Sequence, residues 1–228
     1  MEVNTLKSFI FDYNRTNTFE EYIKANVSGK TVVDCGGGSG ILTHLCIENG
    51  ATKVYCLEND TTTYDNLTST FDGNSKVDVQ NLDCFTQTLP TGDIYLHEFF
   101  GASLWDEDIL DFISNLNSQS ITTIFPENII IYSCDTIRRS MIDTQYLTFD
   151  NSNLSSDVLA FAGNWNSNYK WVFNYRWIEI GNKQVVYSGK ILDLDNTHSS
   201  HVLWEINTEH GIFNNMRTDW NCWNLPKK

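Results

Sequence analysis

Apolar and polar positions follow two different periods along residues 1–140. Residues 1–30 carry apolar side chains at spacings of three and four, which predicts an amphipathic helix with Phe9, Phe19 and Ile23 on one face. Beyond this helix, short apolar runs alternate with helix-like stretches. The predicted strands lie near residues 31–35, 53–57, 77–82, 93–97, 121–124 and 129–135, and the predicted helices lie near 39–49, 61–70 and 106–116. This alternation predicts an α/β fold whose parallel sheet has helices on both faces.

The pattern changes after residue 140. Residues 143–168 are polar, and the stretch 151–168 is rich in asparagine and serine. Three runs rich in β-branched and aromatic residues follow at 170–180, 184–194 and 202–206, separated by turn signals such as Gly181-Asn182. We therefore expect two domains: an α/β domain over residues 1–140 and a small antiparallel β-rich domain over residues 141–228.

Charge and cysteine content exclude several classes of partner. The 228-residue chain has a net charge of −14, which argues against tight binding to nucleic acid phosphates. Its six cysteines contain no CxxC pair, so neither a zinc site nor a disulfide framework is indicated, and a reducing, cytoplasmic or otherwise intracellular location is favoured. The sequence shows no signal peptide and no apolar run long enough to cross a bilayer, so we expect no membrane partner.

A glycine-rich segment between the first two predicted strands indicates a nucleotide-type ligand. The strand at 31–35 contains Asp34 and runs into a loop with Gly36, Gly38 and Gly40, and the next strand ends at Glu58. Glycines let the backbone approach a ligand at a helix start, and an acid about twenty residues later can accept hydrogen bonds from both ribose hydroxyls. The segment D-x-G-G-G-S-G resembles the motif of S-adenosylmethionine-dependent methyltransferases; a nicotinamide site or a purely structural turn are the alternatives.

Two further acidic segments follow the third and fourth predicted strands. Asp83 and Cys84 lie where such enzymes hold adenine between an acid and an apolar surface; the alternative is a strand-ending acid beside a core aromatic. Glu98 ends the fourth strand and Glu107 follows nine positions later, with no proline at positions 97–100. Two converging carboxylates match the planar fork of a guanidinium, although Glu107 alone would be read as an acid at a helix N-terminus.

The double-glutamate pattern resembles that of the protein arginine methyltransferases. Five other segments agree with patterns of the family: R-T-x-x-aromatic at residues 15–19, G-I-L at 40–42, G-A-x-x-V at 50–54, I-F-P-(D/E) at 124–127 and T-H-W at 197–199. The chain departs from the family at Ser199, which replaces the tryptophan of T-H-W, and no helical dimerisation arm is evident. The family's N-terminal aromatic helix, which closes over the cofactor, would lie upstream of residue 1.

The resemblance implies a Rossmann-like methyltransferase sheet followed by a truncated β-barrel, with S-adenosylmethionine as cofactor and no metal. The implied cofactor residues are Arg15 for the methionyl carboxylate, Asp34 and the loop glycines Gly36, Gly38 and Gly40 for the amino acid part, Glu58 for the ribose, and Asp83 and Cys84 for the adenine. Glu98 and Glu107 would bind the substrate guanidinium, and His198 would shape the mouth of the pocket.

The implied reaction is methyl transfer to a guanidino nitrogen of arginine in a protein or peptide. The acidic net charge favours a basic peptide as the acceptor. One alternative keeps the chemistry but changes the acceptor to a small amine or guanidino metabolite, which the short β-domain favours. A second alternative is a catalytically idle partner that regulates an active homologue; it would be marked by a broken glycine loop or a missing glutamate, and neither is seen.

Overall fold

The computed structural model describes residues 13–101, 103–135, 137–140 and 176–216. Three predicted features lie outside these ranges: residues 1–12 of the first helix, which include Phe9, the asparagine- and serine-rich stretch 151–168, and residues 170–175 of a strand. The first described element is helix α1, Tyr13–Asn26. Among the described residues, no helix has both the length and the apolar character needed to cross a membrane.

A five-stranded parallel sheet forms the first half of the fold. Its strands are β1 (Thr31–Cys35), β2 (Lys53–Glu58), β3 (Val77–Asn81), β4 (Ile94–His97) and β5 (Ile124–Phe125). The spatial order is β3-β2-β1-β4-β5, so the chain reverses direction across the sheet between β1 and β4. Ligands of such open sheets bind at this reversal, outside the carboxyl ends of the strands.

Three helices connect the strands, close to where the apolar spacing predicts them. They are α2 (Ile41–Glu48), α3 (Thr61–Thr70) and α4 (Ile109–Ser118). Helix α3 begins where Asp60 accepts a hydrogen bond from the Thr63 N–H, which satisfies one of the unpaired donors at the helix start. Helix α4 begins three residues later than predicted, because residues 98–107 form a folded loop before it.

The second half contains a four-stranded antiparallel sheet and a two-stranded pair. The strands are β6 (Asn128–Cys134), β7 (Ile137–Ser140), β8 (Arg176–Ile180), β9 (Lys183–Lys190), β10 (Leu203–Thr208) and β11 (Gly211–Asn214). The four-stranded sheet has the order β11-β10-β6-β9, and the pair joins β7 to β8. Single turns of 3-10 helix at Ile191–Asp193 and Asn196–His198 lie between β9 and β10.

Strand β6 differs from the sequence prediction, which placed it in the parallel alternation. It pairs antiparallel with β9 and β10 instead. An apolar run predicts a buried strand but does not show which sheet it joins.

Strands β7 and β11 are not among the predicted strands. The division into domains at residues 140 and 141 stays a prediction.

One continuous hydrophobic core joins the two sheets. Trp204 of β10 is fully buried, and its ring lies 5.2 Å from that of Phe100 and 6.0 Å from that of Phe213. Helix α1 contributes Phe19, which packs against Phe125 and Phe213 with ring centroids 5.2 and 5.9 Å apart. The loop that follows β4 is therefore packed between the parallel sheet, α1 and the antiparallel sheet.

Candidate active site

A cavity of about 270 Å³ opens at the carboxyl ends of the parallel strands. Its walls come from the segments that directly follow β1, β2, β3 and β4 and from the start of α4. Its lining residues are Gly36–Ser39, Ile41, Leu42, Leu57–Asn59, Leu82, Cys84, Phe85, Glu98, Phe99, Glu107 and Asp108. The cavity lies where the strand order reverses, which is the position expected of a ligand site in this fold.

The glycine loop, residues 36–40, packs so closely that a side chain would not fit at Gly36, Gly37 or Gly40. Gly36 and Gly40 have φ of 81° and 83°, in the left-handed region that favours glycine. A Cβ on Gly37 would approach the Cys56 sulfur to 2.5 Å. The N–H groups of Gly36 and Gly37 both donate to the Leu57 carbonyl, at 3.0 and 2.7 Å. These contacts fix the loop against β2 and keep its backbone at the cavity wall.

Glu58 is buried at the end of β2 and is held by two backbone donors. Its Oε2 accepts from the Gly38 N–H at 3.0 Å, and its Oε1 accepts from the Asp60 N–H at 2.9 Å. Each carboxylate oxygen has a second acceptor position. Glu58 is therefore oriented by the loop on either side of it, while it lines the cavity as the ribose assignment requires.

Glu98 lines the same cavity and contacts Arg15. The Arg15 Nη1 lies 3.3 Å from the Glu98 Oε1, and the Arg15 Nη2 donates to the Phe100 carbonyl at 3.1 Å. The Arg15 guanidinium also lies 5.6 Å from the centre of the Phe213 ring. Arg15 is buried and is not among the residues that line the cavity. In this structure it orients the loop that carries Glu98, and its role towards a methionyl carboxylate stays a prediction.

Glu107 faces the cavity without a hydrogen-bond donor among the described residues. Burial raises its pKa to about 7; the positive charge of Arg15 opposes the rise, and the negative charges of Asp106 and Glu98 add to it. The double-glutamate loop, residues 98–107, is folded tightly enough that a Cβ on Gly101 would collide with the Asp106 carboxylate. The fold of this loop brings its first and last residues, the two predicted guanidinium ligands, to one cavity.

Cys84 lines the cavity, whereas the two predicted aspartates do not. Asp83 caps its own turn: its Oδ1 accepts from the Phe85 N–H at 2.9 Å and its Oδ2 accepts from the Thr86 hydroxyl at 2.7 Å. Asp34 is buried behind the glycine loop, where it accepts from the Thr43 hydroxyl at 2.7 Å. Burial raises the pKa of Asp34 to about 7, and the Thr43 hydrogen bond limits the rise. Contact of either aspartate with a ligand stays a prediction.

His198 lies outside the cavity lining, in the 3-10 turn that precedes β10. Its ring is 5.4 Å from Tyr187 and 6.1 Å from His201. The segment between this turn and β10 contacts Trp105, whose indole N–H donates to the His201 carbonyl at 2.6 Å. The segment that follows His198 thus contacts the double-glutamate loop, but the structure does not place the imidazole at the cavity.

The cavity also contains residues that the sequence analysis does not single out. Phe99 and Phe85 line it with ring centroids 4.9 Å apart, and Phe99 packs directly on Gly36. Asn59 and Asp108 add polar groups to the lining. Phe99, Asn59 and Asp108 each follow a predicted site glutamate by one position, and this adjacency is the signal that could have identified them. No group of three or more His, Cys, Asp or Glu side chains in the described ranges is arranged to hold a metal ion.

Comparisons with known proteins agree with this picture. No family model matches the chain. A segment of 60 residues, 25% of this chain, is 40% identical to protein arginine N-methyltransferase 6 of Xenopus laevis. The segment spans only 18% of that protein.

Two solved structures share the fold over most of the chain. The structure of Arabidopsis thaliana protein arginine methyltransferase 10 covers 98% of this chain and 80% of its own, with a TM-score of 0.62 and 16% identity. The Trypanosoma brucei PRMT1 enzyme–prozyme heterotetrameric complex with AdoHcy covers 91% of this chain and 75% of its own, with a TM-score of 0.59 and 17% identity. The predicted fold and the predicted resemblance to the protein arginine methyltransferases are therefore confirmed.

Proposed function

We propose that this chain is an S-adenosylmethionine-dependent methyltransferase that modifies a guanidino nitrogen of arginine in a protein or peptide. One observation carries the proposal: a single cavity contains the glycine loop, the carboxylate at the end of β2 and both glutamates of the double-glutamate loop. The first two features suit a nucleoside, and the third suits a guanidinium. Their meeting in one space is what methyl transfer between the two requires.

The nucleotide side of the cavity fits the cofactor. Its volume of about 270 Å³ is close to the lower end of the range for small-molecule sites, about 300–1,000 Å³. Glu58 would hold the ribose hydroxyls, and the apolar wall of Leu82, Cys84 and Phe85 would contact the adenine. When bound, S-adenosylmethionine supplies the methyl group, carried on a positively charged sulfur.

The acceptor side would make a poor nucleophile reactive. A guanidinium has a pKa above about 12 and shares its charge among its nitrogens. Glu98 and Glu107 would draw positive charge towards the nitrogens they contact, which returns lone-pair character to the remaining nitrogen. Arg15 orients Glu98 for this task. The pKa of Glu107, raised to about 7 by burial, suits it to accept the proton that the guanidinium releases on methylation.

Isotope-labelled S-adenosylmethionine and a peptide array would test the acceptor. The array pairs arginine with lysine peptides, each with neutral or basic flanks, at low and high salt. We expect labelled methylarginine, faster with basic flanks at low salt, because attraction to an acidic protein is screened beyond about 8 Å at physiological ionic strength. Preference for lysine, or indifference to flanking charge and salt, would contradict the proposed acceptor.

Two other functions are distinguished by the same assay. Methylation of free amines or guanidino metabolites, but of no peptide, would favour a small acceptor. Cofactor binding without methyl transfer would favour a regulatory partner. The presence of both glutamates in the cavity supports the catalytic assignment over the regulatory one.

We also infer a cytoplasmic or otherwise intracellular location. The support is chemical: the five described cysteines are all free thiols, as in reducing compartments. Fractionation of cells that express the chain would test this inference.

A further inference from the structure

Asp108 is an acidic residue of the cavity that neither the family resemblance nor the proposed chemistry uses. It directly precedes helix α4 and lines the cavity. Its side chain does not cap the helix, and it accepts no hydrogen bond from a described residue. Its φ is 52°, a left-handed conformation that is uncommon for a residue other than glycine. Asp108 therefore presents an exposed carboxylate with open acceptor positions to the cavity.

Asp108 lies beside the apolar wall that would contact adenine. Its carbonyl accepts from the Phe112 N–H at 3.2 Å, and the Phe112 ring lies 6.3 Å from that of Phe85. Phe85, with Leu82 and Cys84, forms the wall. A purine ring against such a wall needs a polar partner at its edge, because its exocyclic amine donates hydrogen bonds.

The other acids near the cavity are assigned to other parts of the ligands or do not line the cavity: Glu107 is assigned to the guanidinium, and Asp83 is not part of the lining. Glu58 accepts from two backbone N–H groups, and Glu98 contacts Arg15. Both oxygens of Asp83, the acid predicted for this task from the sequence, are used within its own turn. Building on the function proposed above, we propose that Asp108, rather than Asp83, accepts the hydrogen bond from the adenine amino group.

A pair of ligands isolates this hydrogen bond. Calorimetry would compare S-adenosylhomocysteine with its analogue in which hydrogen replaces the 6-amino group of the purine. We expect the natural chain to prefer the amino form by about 10-fold to 100-fold, as for a hydrogen bond to a charged group. In D108G the preference should collapse, because the affinity for the amino form falls while the affinity for the analogue is retained. Glycine suits this position because it adopts the left-handed backbone without strain.

Two further variants complete the experiment. The asparagine of D108N keeps an acceptor oxygen and also tolerates the left-handed backbone. This variant should therefore retain part of the preference for the amino form. D111N removes one acid from the exposed first turn of the same helix and should leave the preference unchanged.

The outcomes separate this inference from the proposed function. Equal loss of affinity for both ligands in D108G, or collapse of the preference in D83N or in Asn59→Ala instead, would overturn the role of Asp108 while leaving the cofactor assignment in place. Failure of the natural chain to bind S-adenosylhomocysteine at all would overturn the proposed function, and this inference with it.

Discussion

The two sides of the cavity are built from contacts of very different range. On the nucleotide side, Glu58 is held by the N–H groups of Gly38 and Asp60, which are 20 and 2 positions away along the chain. On the acceptor side, Glu98 contacts Arg15 across 83 positions, and the Gly101 carbonyl accepts from the indole of Trp204 across 103. One βαβ unit therefore supplies the glycine loop and Glu58, whereas the acceptor side also requires α1 and the antiparallel sheet.

The carboxylates of the two sides also differ in the hydrogen-bond donors that contact them. Glu58 has two backbone donors and Glu98 has a guanidinium, but Glu107 has no hydrogen-bond donor among the described residues. Backbone donors that are already in place fix the orientation of a carboxylate. Glu107 lacks such donors in the described ranges and burial raises its pKa to about 7, so its partner would be the substrate.

The largest expected effect is loss of turnover when either acceptor glutamate is neutralised. E98Q and E107Q keep the side-chain shape but remove the charge that would polarise a guanidinium. Each should lower methyl transfer by about 10²-fold or more, the usual cost of losing one preorganised electrostatic group. Affinity for S-adenosylhomocysteine should change little, since the nucleotide side is built separately.

Initial rates with labelled cofactor, together with calorimetry, would check this prediction. E48Q is the matched control, because Glu48 is exposed at the end of α2, away from the cavity. A variant E98Q or E107Q that methylates an arginine peptide at the natural rate would show that the two glutamates do not activate the acceptor.

The next effect belongs to the nucleotide side. Glu58→Ala should weaken S-adenosylhomocysteine binding by about 1.5–3 kcal/mol, because charged hydrogen bonds to the ribose are lost. The variant also leaves the Gly38 and Asp60 N–H groups without their acceptor. E58Q retains one carbonyl oxygen, so its affinity for S-adenosylhomocysteine should lie between those of the natural chain and Glu58→Ala. Undiminished affinity in calorimetry of Glu58→Ala would exclude the placement of the cofactor at this edge of the sheet.

The nucleotide side is also the part that the sequence predicts best. The predicted strand at 31–35 coincides with Thr31–Cys35, and the next strand ends at Glu58 as expected. Local rules suffice there: glycines are needed where the backbone turns tightly, and a strand-ending acid lies at the sheet edge whatever its long-range partners.

The acceptor side is harder to predict because its contacts join distant segments. The double-glutamate pattern is visible in the sequence, but the contact of Arg15 with Glu98 and the pairing of β6 with the antiparallel sheet are not. The same limit explains Asp83 and Asp108. Asp83 caps its own turn, whereas the Asp108 side chain does not cap helix α4 and faces the cavity, and the residue types alone do not show this difference.

A smaller effect, about tenfold, is expected from pH. Glu107 must be ionised to polarise the acceptor, so turnover should rise as pH increases through about 7 and should differ about tenfold between pH 6 and 8. The rise should be absent from the residual activity of E107Q. A rate profile of the natural chain that stays flat from pH 6 to 8 would contradict the assignment of Glu107.

The same pKa has a consequence for stability. A carboxyl whose pKa is higher in the folded state binds more protons there, so its contribution to the free energy of unfolding falls as pH rises from 4.5 to about 7. E107Q should therefore be more stable than the natural chain at pH 8, by about 1–2 kcal/mol, and equally stable near pH 4. The contribution of Asp34 to the free energy of unfolding also falls as pH rises, because burial raises its pKa. The contribution of His97 rises with pH below pH 6.5, because burial lowers its pKa to about 4. Urea unfolding of both chains at each pH isolates Glu107, since the other two groups are common to them.

The smallest effect tests whether the antiparallel sheet supports only the acceptor side. In W105F the ring remains, but the indole N–H that donates to the His201 carbonyl is lost, at a cost of about 0.5–1.5 kcal/mol. We expect methyl transfer to fall by about two- to tenfold, with unchanged affinity for S-adenosylhomocysteine, because the double-glutamate loop loses its link to the turn before β10. Y95F is the matched control: it removes a hydroxyl that donates to the Pro90 carbonyl at 2.8 Å, near the opposite edge of the parallel sheet. If W105F and Y95F lower the rate equally, or if W105F weakens cofactor binding, the two sides of the cavity are not built independently.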